Sequence, residues 1–158
     1  MILTAYTILH VAISLVAIAA GFVVVKGLLT ANRLDGWTRL FLITTILTSV
    51  TGFGFPVDHF MPSHALGILS LLALGVAVYA RYPCQMAGGW RATYVISAII
   101  SLYFNVFVLV VQSFLKIPPL HALAPEGTEP PFAIAQGIVL VVFIVLGVLA
   151  TKRFRVAR

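Results

Sequence analysis

The chain has 158 residues, of which 61% are hydrophobic and 9% are charged. Its mean hydropathy is +1.12 and its formal net charge is +6. Because soluble domains carry about 25% charged residues, this chain has too few polar side chains to cover a water-exposed surface. The composition excludes a soluble globular enzyme, a disordered tail and a nucleic-acid-binding module, and it is typical of a small integral membrane protein.

Five apolar stretches are separated by short polar or Gly/Pro-rich segments. Each approaches the length of about 20 residues that a transmembrane helix needs. A backbone in lipid must satisfy its own hydrogen bonds, so we predict an all-α bundle of five transmembrane helices in one domain, 1–158. The second and third stretches are short, and a re-entrant pair is the alternative. The predicted spans are 3–27, 38–55, 63–80, 92–115 and 132–151, with a longer outer loop at 116–131.

Lys and Arg are distributed asymmetrically about these spans. Nine of the ten fall on one side, and Lys116 alone falls on the other. Because cytoplasmic loops are enriched in Lys and Arg, we predict that the N-terminus is outside and the C-terminus is cytoplasmic. This bias explains the basic composition without nucleic acid as a partner. The nine are Lys26, Arg33, Arg39, Arg81, Arg91, Lys152, Arg153, Arg155 and Arg158.

All four histidines fall at the predicted outer end of the spans. His10 lies about seven residues into the first span, and therefore about 10 Å deep at 1.5 Å per residue, while His64 begins the third span. An ionisable side chain within a membrane is costly and marks a candidate functional site. The structural alternatives are that His10 hydrogen-bonds a neighbouring helix and that His64 caps its own helix. His59 and His121 lie in loops, where the alternative is no role at all.

Polar side chains also follow helical spacing along the predicted spans. Asn105 and Gln112 lie in the fourth span and Gln136 near the outer end of the fifth. An unsatisfied amide in hydrocarbon costs several kcal/mol, so we expect these groups to find partners inside the bundle. The Ser and Thr positions have a packing interpretation, since small residues let helices approach closely. No charged residue lies at mid-membrane depth, which disfavours a pump or a secondary transporter.

No familiar catalytic motif occurs in the chain. We find no HExxH, GxSxG or P-loop pattern, so no catalytic residue is assigned and the sequence favours a protein that is not an enzyme. Cys84 is the single cysteine, which excludes an intrachain disulfide.

Several segments resemble a group of small, uncharacterised multi-pass proteins of bacterial inner membranes. The resemblance implies a location in the bacterial plasma membrane, and it implies no activity, cofactor or site residue. It is carried by HVAISLVAIAAGFVV, TGFGFPVDHFMPSH, LYFNVFVLVVQSF and LAPEGTEPPFAIAQ.

Three classes of function fit these observations. The first is an outward-facing pocket around His10 and His64 that binds a haem b, a divalent metal or a small ligand, because two histidines on different helices can hold a haem axially. The second is an accessory subunit of a larger membrane complex, and the third is a small homo-oligomeric channel or carrier. The candidate ligand-binding residues are His10, His64, Asn105, Gln112 and Gln136, and the candidate metal ligands are His10, His64, Asp58, His59, His121 and Glu129.

Overall fold

The structure, a computed structural model, describes residues 1–155, so Arg158 lies outside the described residues. Within that range the chain forms six α-helices and no strand, which confirms the all-helical prediction. The longer predicted loop contains the short helix α5. The helices are α1 (Ile2–Leu29), α2 (Asp35–Gly52), α3 (Pro62–Arg81), α4 (Trp90–Lys116), α5 (Pro118–Leu123) and α6 (Pro130–Arg153).

The contacts between helices define two ends of the bundle. Thr51, near the end of α2, contacts His10 near the start of α1. At the opposite end, Leu34 lies against Gly27 in the last turn of α1. The two helices are therefore antiparallel. We call the first end the histidine end, since His10, His64 and α5 lie there, and the other the basic end, since it holds Lys26, Arg33, Arg81, Arg91 and Lys152.

Among the described residues, four helices, namely α1, α3, α4 and α6, are long and apolar enough to cross a membrane. This confirms a multi-pass helical membrane protein. Helix α2 is less apolar, because its 18 residues include Asp35, Arg39 and several threonines. At 1.5 Å per residue it is about 27 Å long. Its contacts with α1 at both ends show that it extends along most of that helix.

The basic half of the bundle is tightly packed around a glycine in α1. A Cβ placed on Gly21 would lie 2.5 Å from Leu102 Cδ1 of α4 and 3.0 Å from Phe41 Cε2 of α2. The missing side chain thus lets three helices meet at one point. From there to the basic end the core is filled by fully or almost fully buried side chains, including Val24, Leu28, Leu74, Ala77, Tyr94 and Val95.

Two arginines connect the ends of neighbouring helices at the basic end of the bundle. Arg81 of α3 is 3% exposed, donates to the Asp35 carboxylate and lies 5.0 Å from the Tyr94 ring centroid. A buried charge of this kind requires partners of its own. Arg91 donates to the carbonyl oxygen of Thr151 at 2.8 Å and thereby caps the end of α6. These contacts connect α2, α3, α4 and α6 where the chain is most basic.

The serine hydroxyl groups of α4 form hydrogen bonds within their own helix. Ser97 donates to the Thr93 carbonyl at 2.6 Å, and Ser101 donates to the Ser97 carbonyl at 2.8 Å. Bonds to the carbonyl one turn earlier satisfy a hydroxyl without any partner from another helix. These two serines therefore act as small packing residues rather than as steps in a polar pathway.

The packing at Gly21 predicts a specific loss of stability. Gly21→Ala should lower the free energy of unfolding by about 1–3 kcal/mol relative to Gly75→Ala, because the new methyl group overpacks the Leu102 and Phe41 contact. Gly75 is a matched control, since it is also helical and a Cβ there meets nothing within 4 Å. Thermal or denaturant unfolding of both variants in detergent measures the difference. Equal stability of the two variants would contradict the packing role of Gly21.

Candidate functional site

A cavity of about 670 Å³ lies between α1, α2, α3 and α4 in the histidine half of the bundle. Its volume is within the range of small-molecule sites, about 300–1,000 Å³. It extends from Lys116 at the end of α4 to Ile18 on α1 and Ser70 on α3. Four of the five predicted ligand-binding residues line it, namely His10, His64, Asn105 and Gln112.

The His10 ring is held in one tautomer by its neighbour on α2. Its Nδ1 lies 2.7 Å from Thr51 Oγ1. The Thr51 hydroxyl uses its single hydrogen to bond the Leu47 carbonyl, also at 2.7 Å, so it accepts from His10 Nδ1–H. Neutral His10 therefore has a free lone pair on Nε2. The ring also packs edge-on against Phe55, with centroids 5.1 Å apart.

His64 is held in the opposite tautomer by the backbone of its own helix start. The Met61 N–H donates to His64 Nδ1 at 2.9 Å, which caps the first turn of α3. Because Nδ1 accepts, the hydrogen of the neutral ring is on Nε2. The cavity thus contains one histidine that offers an acceptor and another that offers a donor. His64 thus caps its own helix, which is the structural alternative considered from the sequence, and its Nε2–H takes no part in this bond.

Two aromatic rings enclose His64. Phe53 stacks on it with centroids 5.6 Å apart and planes inclined by 19°, and Phe60 lies at 5.4 Å. Space for Phe53 comes from Gly67, where a Cβ would lie 2.9 Å from Phe53 Cζ. The imidazole is therefore held between rings and has little freedom to turn.

Most hydroxyls that line the cavity are already satisfied. Ser14 donates to the His10 carbonyl at 2.7 Å, and Ser49 and Ser70 are 3.2 Å apart and bond each other. In contrast, the buried Asn105 Nδ2 has no hydrogen-bond partner among the described residues. The polar capacity that is open to a ligand is therefore concentrated on the imidazoles and amides.

The remaining predicted site residues lie away from the cavity lining. Gln136 of α6 donates from Nε2 to the Phe107 carbonyl at 3.1 Å, which joins α6 to α4. Asp58 and His59 are exposed in the segment between α2 and α3, and His121 is exposed on α5. The structure thus places Gln136 in a helix–helix contact and these three side chains at the surface of the histidine end.

Glu129 is the N-cap residue of α6, but its carboxylate bonds the preceding loop. The backbone N–H groups of Glu126 and Thr128 donate to its two oxygens, each at 3.0 Å. These bonds favour the ionised form, that of Glu126 most strongly, and hold the pKa of Glu129 below its ordinary value of 4.5. The side chain closes a turn and does not reach the cavity.

The side chains around the cavity do not form a complete set of ligands for a metal ion or a haem. Within residues 1–155, no three His, Cys, Asp or Glu side chains form a group that could hold a metal ion. A histidine that binds a metal normally donates its other N–H to a neighbour. His10 meets this condition through Thr51. His64 does not, because its Nδ1 accepts and its Nε2 carries the hydrogen. The arrangement suits hydrogen bonding better than bis-histidine ligation.

The cavity ends where the tight packing of the basic half begins. Its deepest lining residues on α1 and α4 are Ile18 and Phe104. Immediately beyond them, Gly21 allows Leu102 and Phe41 to fill the space between helices. The cavity is therefore closed towards the basic end, and it does not form a path through a single chain.

Lys116 and Thr51 belong to the site but were not among the predicted residues. Lys116 lines the cavity at the end of α4, and Thr51 orients His10. The sequence contained a signal for Lys116, which is the one basic residue on its side of the predicted spans. The role of Thr51 depends on how α1 and α2 are aligned, which the spacing of residues within either helix does not specify.

No family model, curated protein or solved structure matches this chain.

The bond between His10 and Thr51 predicts a cost for removing the hydroxyl. Thr51→Val should lower the free energy of unfolding by about 1–3 kcal/mol, because His10 Nδ1–H loses its acceptor inside the bundle. Thr44→Val is the matched control, since the Thr44 hydroxyl bonds the carbonyls of its own helix at Leu40 and Phe41. Unfolding in detergent compares the two. A Thr51→Val protein as stable as Thr44→Val would show that the hydroxyl does not support His10.

The turn closed by Glu129 predicts a pH response outside the membrane-spanning segments. Because the folded pKa is depressed, the contribution of this carboxylate is complete above pH 4.5 and is lost as the pH falls through the folded pKa. In nuclear magnetic resonance titrations, the Glu129 carboxyl carbon should titrate below 4.5, and the Glu126 and Thr128 amide protons should shift with it. Glu129→Gln should abolish the amide response. A midpoint at or above 4.5 would contradict this assignment.

Proposed function

We propose that this protein binds a small organic molecule in the cavity between α1, α2, α3 and α4. The observation that carries the proposal is that His10, His64, Asn105 and Gln112, from three different helices, line one cavity of about 670 Å³. Polar residues predicted separately from the sequence thus share a single concave site. A mainly apolar cavity with a few converging polar groups is the usual form of a ligand site.

The chemistry of the cavity supports a ligand that forms hydrogen bonds. His10 Nε2 offers a lone pair, and His64 Nε2–H offers a hydrogen. The Asn105 side chain also lines the cavity, and its buried Nδ2 has no hydrogen-bond partner among the described residues.

The proposal places the cavity mouth on the outer side of a bacterial inner membrane. The charge asymmetry in the sequence supports this orientation, since the basic end would be cytoplasmic. Helix α2 supports the five-span arrangement, because it is antiparallel to α1 and meets it at both ends. Its threonines are compatible with this position, since the hydroxyls of Thr44 and Thr48 bond carbonyls of the same helix.

The compounds retained by the purified protein test this proposal. The full chain is extracted in a mild detergent, and its organic extract is analysed by mass spectrometry. The wild-type protein should retain one organic compound, and His10→Ala and His64→Ala should each retain several-fold less. His59→Ala and His121→Ala are matched controls, because these histidines lie outside the cavity lining. Circular dichroism and gel filtration verify that all four variants fold.

Spectra and metal content of the same samples decide between ligand classes. An absorbance band typical of haem that shifts on reduction with dithionite would show that the bound ligand is a haem. A metal present in stoichiometric amount in the wild-type protein and lost in His10→Ala would show that the ligand is a metal ion. Equal retention of the compound in all variants would contradict a binding role for the two histidines.

A further inference from the structure

The charged residues that line the cavity are limited to one cation. Lys116, in the last turn of α4, is the single Asp, Glu, Lys or Arg residue among the described residues that line it. All four acidic residues are described, and each lies outside the lining. The ion pairs within residues 1–155 join Asp35 to Arg33 and to Arg81 at the basic end. The Lys116 ammonium thus has no carboxylate partner in the described part of the chain.

Hydrogen-bond donors lie at the same end of the cavity as this ammonium group. His64 offers Nε2–H, because Met61 N–H occupies its Nδ1. Ser63 lines the cavity beside it. Both belong to the first turn of α3, a helix of 20 residues, whose amino end carries a partial positive charge. Together with Lys116, these groups favour an anionic head with acceptor oxygens.

Below this mouth the lining is mainly apolar, with His10, Asn105 and Gln112 as polar side chains among the apolar ones. On α4 the lining continues from Lys116 to Phe104, which is about 18 Å at 1.5 Å per residue. Val108 of α4 and Val11 and Leu15 of α1 contribute apolar surface along that length. A compact inorganic anion would leave this surface facing water, whereas an alkyl chain would bury it.

We propose that the ligand is a long-chain carboxylate, with its head at Lys116 and His64 and its chain along α1 and α4. This assignment rests on the proposed ligand-binding function and specifies its chemical class. The bond between carboxylate and ammonium supplies the counter-ion that the described residues lack for Lys116. The cavity differs in this respect from one built for a neutral lipid, which needs no cation at the mouth.

Binding of radiolabelled palmitate tests this assignment. The full chain is placed in phosphatidylcholine nanodiscs, and empty nanodiscs give the background. Palmitate should bind, and 1-hexadecanol, which has the same chain without the charge, should bind about tenfold more weakly. Lys116→Gln should weaken palmitate binding by about tenfold and leave hexadecanol binding unchanged. Lys116→Arg should retain palmitate, and Lys26→Gln is the matched control at the basic end.

The remaining outcomes separate this assignment from the proposed function. Equal affinity for palmitate and hexadecanol, or a Lys116→Gln protein that binds palmitate as Lys26→Gln does, would overturn the carboxylate head and leave the cavity as a ligand site. Displacement of palmitate by millimolar inorganic phosphate would overturn the requirement for a chain. A wild-type protein that binds none of these probes and retains no organic compound would overturn both proposals.

Discussion

The close approach of α1, α2 and α4 at Gly21 is the contact on which the rest of the bundle depends. Without a side chain at this position, Leu102 and Phe41 reach the α1 backbone and fill the space between the helices. Towards the basic end, the core is continuous and nearly every large apolar side chain in it is buried. Towards the histidine end, these three helices and α3 enclose the cavity. One packed half and one open half therefore follow from where small side chains occur along α1.

Polar groups are handled differently in the two halves. In the basic half, Arg81 bonds Asp35 and Arg91 bonds the end of α6, while the buried Tyr94 hydroxyl has no partner among the described residues. In the histidine half, most hydroxyls bond a carbonyl of their own helix and Ser49 bonds Ser70 of the next helix, but His10 Nε2, His64 Nε2–H and the Asn105 amide retain unused capacity. The two imidazoles and Asn105 line one cavity, and this convergence is the strongest structural argument for a ligand.

The tautomers of the two histidines indicate which ligands the cavity can bind. A pair of histidines from different helices suggests bis-histidine haem ligation, which needs a free lone pair on the ligating nitrogen of each ring. Thr51 leaves that lone pair on His10, whereas the Met61 N–H places a hydrogen on the outer nitrogen of His64. The pair is therefore poorly suited to ligate a haem, whereas His64 Nε2–H can donate to an acceptor such as a carboxylate oxygen. With Lys116 at the mouth, the site gains a charge that the histidines do not supply.

The helices could be predicted from the sequence because apolar residues in runs of this length have few other stable arrangements. Each predicted span overlaps one observed helix, and the bounds differ by no more than a few residues. From the sequence, the second and third spans are the least certain because they are short, and Asp35, Arg39 and several threonines also lower the hydropathy of α2. Its path along the full bundle is visible only in its contacts with α1 at Gly27 and His10.

The sequence by itself determined that this chain is a bundle of apolar helices, that its basic residues gather at one end and that His10, Asn105 and Gln112 are polar groups in need of partners. These properties follow from composition and from the helical period. Only the tertiary structure decided which of those groups share a cavity, because that depends on how the helices are aligned and rotated against one another. Gln136 turns to the Phe107 carbonyl and Glu129 to its own loop, while Lys116 joins the cavity. Contacts between helices determine where each of these side chains points, and the spacing of residues along a single helix does not predict those contacts.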